Sequence, residues 1–129
     1  MDAHVLLDTR IIESVWHGGP ESEWVSLIVS QDIRASVSSL SIAEAVRRIP
    51  DRRAEIQLMA LLSMVEVVEL NDEIARRAGG MARGLESDDA SLMPNAVVAA
   101  TALHMDLPVA CVDEDFFEAM GCRIASPGL

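Results

Sequence analysis

No lysine and no tyrosine occur among the 129 residues, and phenylalanine, tryptophan and cysteine appear only twice each. Without lysine, arginine is the sole strong base. The ten basic residues face 21 acids, for a formal net charge of −11. That balance excludes a protein that grips nucleic acid through a broad basic surface, because such binding neutralises many phosphates with Lys and Arg. It leaves room for acids that hold metal ions. Cys111 and Cys122, with no secretion signal ahead of them, are expected as buried free thiols. Long apolar runs are missing too: stretches such as 96–103 fall far short of the ~20 residues a membrane span needs. The opening Met1-Asp2-Ala3-His4, with another acid at Asp8, matches neither a secretory signal nor a transit peptide, so a cytoplasmic location is expected.

What is present is ample core material. Half of the residues are apolar, and a chain this long buries about two-thirds of its unfolded surface on folding, so residues 1–129 are expected to form one domain. Charge is uneven: residues 1–33 sum to −5, residues 34–83 to +1 and residues 84–129 to −7. Arg47, Arg48, Arg52 and Arg53 make the densest positive cluster.

The apolar run His4 to Leu7 reads as a buried strand that feeds a helix over Thr9 to Trp16. Gly18-Gly19-Pro20 breaks the chain, and Trp24, Leu27 and Ile28 are spaced for a second helix over Glu21 to Ser30. A strand over Ile33 to Val37 follows. Ser38, Ser39 and Ser41 are candidate caps for a helix through Ile49, and Pro50-Asp51 restarts a helix to about Ser63 with Ile56, Met59, Ala60 and Leu62 inward. Branched residues favour a third strand within Met64 to Leu70. Asn71 or Asp72 caps the next helix, which contains Gly79-Gly80 and fades near Gly84 into the polar segment 86–91. Pro94 opens an alanine-rich helix to His104. Pro108 to Val112 makes a fourth strand, Phe116 to Met120 lies in a short helix, and Cys122 to Ala125 offers a fifth strand. Strands alternating with helices, several of them almost wholly apolar, predict an α/β chain: a three-layer α/β/α sandwich with a parallel four- to five-stranded sheet.

In such sheets ligands bind beyond the carboxyl ends of the strands. Asp8 ends the first strand, and Asp113 and Asp115 follow the fourth. With Glu44 after the second strand and Asn95 before the fourth, they form an oxygen-rich set suited to Mg²⁺ or Mn²⁺. Each also has a plainer reading. Asp8, Asn95 and Asp113 are natural helix caps, and Glu44 is a natural solvated helix residue, although its apolar neighbours Ile42, Ala43, Ala45 and Val46 leave it little exposed surface. His4, His17 and His104 show no metal-ligand spacing. Gly79-Gly80 and Gly84 lack the Gly-Lys-Ser/Thr continuation of a phosphate loop. Trp16 and Trp24 suit either the core or a contact surface.

The segments His4-Val5-Leu6-Leu7-Asp8-Thr9, Ser39-Leu40-Ser41-Ile42-Ala43-Glu44, Pro94-Asn95-Ala96-Val97-Val98-Ala99-Ala100-Thr101-Ala102 and Val112-Asp113-Glu114-Asp115-Phe116 resemble, in order, the four signature blocks of PIN domains. The likeness is greatest to VapC-type toxins of bacterial toxin–antitoxin pairs and runs from about residue 4 to residue 127. It implies a metal-dependent endoribonuclease, usually a homodimer, that cuts an RNA substrate with Mg²⁺ or Mn²⁺ and is inhibited by a cognate antitoxin protein. Carried over position by position, the catalytic set is Asp8, Glu44, Asn95 and Asp113. The metal ligands are Asp8, Asp113, Asp115 and Asn95, and Thr9, Arg10 and Ser41 are candidate substrate contacts.

Two positions depart from the family pattern. Asn95 stands where the family usually has Asp, and Arg10 where Asn often follows the Asp-Thr pair. Asn95 offers a carbonyl oxygen without charge, which weakens divalent-metal affinity. The rival reading is therefore a weakened or inactive PIN domain that binds protein or RNA. A flavodoxin-like or receiver-type domain would require a lysine opposite the acids, and this chain has none. The acidity also implies that RNA binds weakly without metal, through the arginines near residues 47 to 53, while a basic antitoxin segment suits the acidic cleft.

Overall fold

The computed structural model describes residues 3–85, 87 and 89–127. Its elements run β1 (Ala3–Leu7), α1 (Thr9–His17), α2 (Ser22–Val29), β2 (Ile33–Ser38), α3 (Ser39–Arg47), α4 (Arg52–Leu62), β3 (Glu66–Val68), α5 (Asp72–Arg83), α6 (Leu92–Met105), β4 (Val109–Ala110) and α7 (Glu114–Ala119). The four strands form one parallel sheet in the order β3-β2-β1-β4. The predicted three-layer sandwich is what forms. A single parallel bridge between Val109 and Ile124 stands where a fifth strand was expected. Of the polar segment 86–91, Glu86 and Asp88 lie outside the described residues.

Alternation along the strands sends side chains to two different layers. Val5 and Leu7 of β1 and Ala35 and Val37 of β2 pack with Ile11, Ile12, Trp24, Ile28, Leu58 and Leu61 from α1, α2 and α4. Leu6 and Val109 face the other way, against Val98, Ala99 and Ala102 of α6 and Phe117 of α7. Small side chains let α6 come close to α5, where Ala96, Val97 and Ala100 meet Ile74 and Ala78. Because both faces are covered, polar strand residues need partners. Ser36 is hydrogen bonded to His4 (2.7 Å) and donates to Glu66 (3.4 Å), while Ser38 accepts the Leu40 N–H and so caps α3.

Side-chain caps set several helix starts. Asp8, Asp51, Asn71 and Asp113 accept backbone N–H groups at α1, α4, α5 and α7. The helix α6 starts two residues before Pro94, which is tolerated because the first helical N–H groups have no intrahelical acceptor. Gly18, with φ of 73°, ends α1 in a conformation that favours glycine. The expected inward face of α4 is corrected. Ala54, Leu58 and Leu61 are buried, Leu62 is partly so, and Ile56, Met59 and Ala60 face outward. Both stripes have helical spacing, and packing against α1 selects between them. Among the described residues no helix is long and apolar enough to cross a membrane.

Gly79 and Gly80 lie inside α5, and a Cβ at either would meet nothing within 4 Å. Gly79→Ala and Gly80→Ala should each raise the unfolding free energy by about 0.5–1 kcal/mol, read from chemical denaturation, because alanine loses less backbone entropy in a helix. A loss of stability in both variants would contradict the open surface around them.

Candidate functional site

From β1 the chain steps outward through β2 to β3, then returns across the sheet to β4 on the opposite side of β1. The order of winding therefore reverses between β1 and β4, and the crevice beyond their carboxyl ends is where open α/β sheets take ligands. Asp8 occupies that point. Its backbone N–H donates to the Ala110 carbonyl (3.0 Å), and its own carbonyl accepts from Ile11 (3.0 Å) and Ile12 (3.4 Å). One carboxylate oxygen accepts the Thr9 N–H at 2.7 Å. Among the described residues the other has no hydrogen bond.

Asp8 is only 3% exposed. Burial, opposed by the Thr9 N–H and the Arg10 charge and assisted by Glu13 and Asp113, raises its pKa from 3.8 to about 6. A carboxylate charged in so dry a place favours a cation beside it. Asp113, exposed at the end of β4, accepts the Phe116 N–H at 3.3 Å and caps α7, so Asp8 and Asp113 are both caps and candidate ligands. The Cys111 thiol is pushed up to about 12, first by burial and then by the fields of Asp8, Glu114 and Asp113. Cys111 and Cys122 are free as expected, but Cys111 is only partly buried, and a thiol so reluctant to ionise is no nucleophile.

The other candidates are distributed differently. Asn95 is not a cap: Ser91 holds that position, and the half-buried Asn95 side chain makes no hydrogen bond among the described residues. Asp115 is exposed in the first turn of α7. Glu44 is engaged, since Arg48 donates to it at 3.1 Å and Arg47 stands 3.8 Å away. The same Arg48 donates to Glu13, also at 3.1 Å. Glu13 escaped the sequence reading. Its signal was a place on the inner face of α1, one turn after Thr9, where a glutamate must find a partner.

Three expectations are corrected by burial and pairing. Thr9 and Ser41, candidate substrate contacts, are both buried, and their hydroxyls have no partner among the described residues. Ser41 lies inside α3 and does not cap it. The arginine cluster is largely consumed within the chain, with Arg47 and Arg48 on Glu44 and Arg52 on Glu55, so only Arg53 of the four has no ion pair among the described residues. Arg10 is exposed beside Asp8 and lines a cleft of about 340 Å³ with Glu13, His17, Glu21 and Val112.

The family model for the PIN domain matches residues 5–121. This chain belongs to the PIN domain family. Among curated proteins no sequence matches it. Solved structures share its fold. VapC20 of Mycobacterium tuberculosis, described as a sarcin-ricin loop cleaving toxin, superposes with a TM-score of 0.72 at 18% identity, covering 95% of this chain and 99% of that one. A toxin–antitoxin complex from Klebsiella pneumoniae gives 0.69 at 20% identity, with 95% and 97% covered. FitAcB from Neisseria gonorrhoeae gives 0.68 at 20% identity, with 96% and 98% covered.

Oxygen donors and a desolvated carboxylate in this PIN fold suit a hard divalent ion. Among the described residues no three His, Cys, Asp or Glu side chains stand close enough together to hold one. The fit is therefore to an ion that keeps most of its water and takes one or two carboxylates, with Asp8 and Asp113 best placed.

Because Asp8 is easier to protonate when folded than at its usual 3.8, its ionisation opposes folding. The penalty is absent below about pH 4, grows towards pH 6 and is complete above it, amounting to at most about 3 kcal/mol. In metal-free buffer, Asp8→Asn should be about 1–3 kcal/mol more stable than the parent at pH 7.5, with the gain vanishing near pH 4. Denaturant titrations at both pH values read this, and a gain independent of pH would contradict it.

Proposed function

We propose that this PIN domain is a divalent-metal-dependent endoribonuclease of the VapC toxin type, held in check by a cognate antitoxin. The observation that carries the reading is the buried, poorly solvated Asp8 carboxylate beside Asp113 in the switch-point crevice of a PIN fold. The toxin–antitoxin character of the similar structures, one a cleaver of the sarcin-ricin loop, supports it.

Asp8 and Asp113 would hold Mg²⁺ or Mn²⁺, with the Asn95 carbonyl and Asp115 as further oxygen donors. A bound ion supplies an activated water and neutralises charge developing on the phosphodiester oxygens. The caps on α1 and α7 orient Asp8 and Asp113, leaving the second oxygen of each for the ion. Arg10, exposed at the rim, offers a guanidinium to a substrate phosphate. Burial of Asp8 at the base of the crevice keeps competing water away from its carboxylate. The acidic surface around the crevice suits a basic antitoxin segment, and the outward Ile56 and Met59 of α4 supply apolar area for an antitoxin or a second copy.

A weakened or inactive form is favoured by one specific observation: Asn95 lacks the charge the family usually has there, and Glu44 already has a cationic partner. Incubating structured RNA with the protein and Mn²⁺ should give cleavage that EDTA abolishes and Asp8→Ala lowers by more than about 100-fold, since even outer-shell changes cost 10–100-fold. Asn95→Asp should raise the rate about tenfold or more by restoring a ligand charge. Cleavage that survives both EDTA and Asp8→Ala would overturn the metal reading. Mn²⁺ binding without cleavage in either the parent or Asn95→Asp would favour the binding module.

A further inference from the structure

Glu13 and Glu44 come from different helices, α1 and α3, and meet on one guanidinium. Arg48 donates through one terminal nitrogen to Glu13 Oε2 and through the other to Glu44 Oε2, both at 3.1 Å. The Glu13 side chain is 8% exposed, that of Glu44 21% and that of Arg48 45%. The bridge thus closes over one buried acid and one partly buried acid from its solvent side. Glu13 also lies close enough to Asp8 for its charge to be felt there. The Thr9 and Ser41 hydroxyls, on the same two helices, are buried without partners. Two carboxylates in such a place require positive charge, and a planar guanidinium spans both where an ammonium would serve one.

We propose that Arg48 is a positioning residue that withholds Glu44 from the metal site: it ties Glu44 to the buried Glu13 and leaves Asp8 and Asp113 as the carboxylates open to a cation. This inference rests on the metal-dependent reading of the crevice. The guanidinium takes the place a second cation would fill, so Arg48 and a divalent ion compete for Glu44. Glu13 anchors the competitor. Releasing the bridge returns one carboxylate to the site and tightens metal binding without any new ligand being introduced.

The test is calorimetric titration of the full chain with Mn²⁺ alone. In the double variant Glu13→Gln/Arg48→Met one acid and one base are lost together, so the net charge stays at −11 and any change in affinity is local. The double variant should bind Mn²⁺ roughly tenfold more tightly than the parent, in the range that outer-shell changes produce. Adding Glu44→Gln to it should return the affinity to the parent value, whereas Glu44→Gln in the parent should change it less than about twofold. Arg48→Lys, which keeps a charge but spans the two acids poorly, should fall between. A double variant that binds no more tightly than the parent overturns the proposal, and so does a parent in which Glu44→Gln weakens binding as much as Asp8→Asn. Those results leave the metal reading intact, whereas a parent whose Mn²⁺ affinity is unaffected by Asp8→Asn overturns that reading as well.

Discussion

The bond from the Asp8 N–H to the Ala110 carbonyl joins the ends of the central and last strands, and much of the molecule is arranged around it. It places Asp8 at the reversal of the winding order. There the backbone must leave β1 and start α1 at once, and the carboxylate meets part of that need by accepting the Thr9 N–H. The same carboxylate is thereby fixed in position and stripped of water. A residue that secures a helix start also sits uncomfortably as an anion, and relief of that discomfort by a cation links the fold to its proposed chemistry.

Charge compensation elsewhere follows the same constraint. The net charge of −11 suggests a uniformly repulsive surface, yet the buried and half-buried acids on α1 and α3 have found an internal partner in Arg48. Asp8 has Arg10 nearby but no ion pair among the described residues. The distinction sorts the acids of the crevice into those already neutralised within the chain and those still available. It also removes most of the arginine cluster from the pool that could meet an RNA backbone, leaving Arg10 at the rim as the guanidinium nearest Asp8.

The alternation of apolar strands and capped helices was legible, and with it the layered fold, because burial on both faces of a parallel sheet leaves a plain mark on composition. The rotation of α4 was not, because Ile56 and Met59 satisfy a 3.6-residue period as well as Leu58 and Leu61 do. Asp8 and Asp113 were legible as strand-end acids. Glu13 was not, since a glutamate within Arg10-Ile11-Ile12-Glu13-Ser14 reads locally like any helix residue, and its partner lies 35 positions away. Ser41 looked like a cap for lack of any sign that Ser38 had already taken that place.

The sequence by itself determined the class of fold, the order of the elements and the four blocks that mark a PIN domain, because these depend on local period, caps and short spacings. Only the tertiary structure decided which acids face one another and which already have a cation. Ion pairs such as Arg48 with Glu13 and Glu44 depend on the separation and rotation of packed helices. Electrostatic energy varies with distance and burial, quantities that spacing along the chain does not contain.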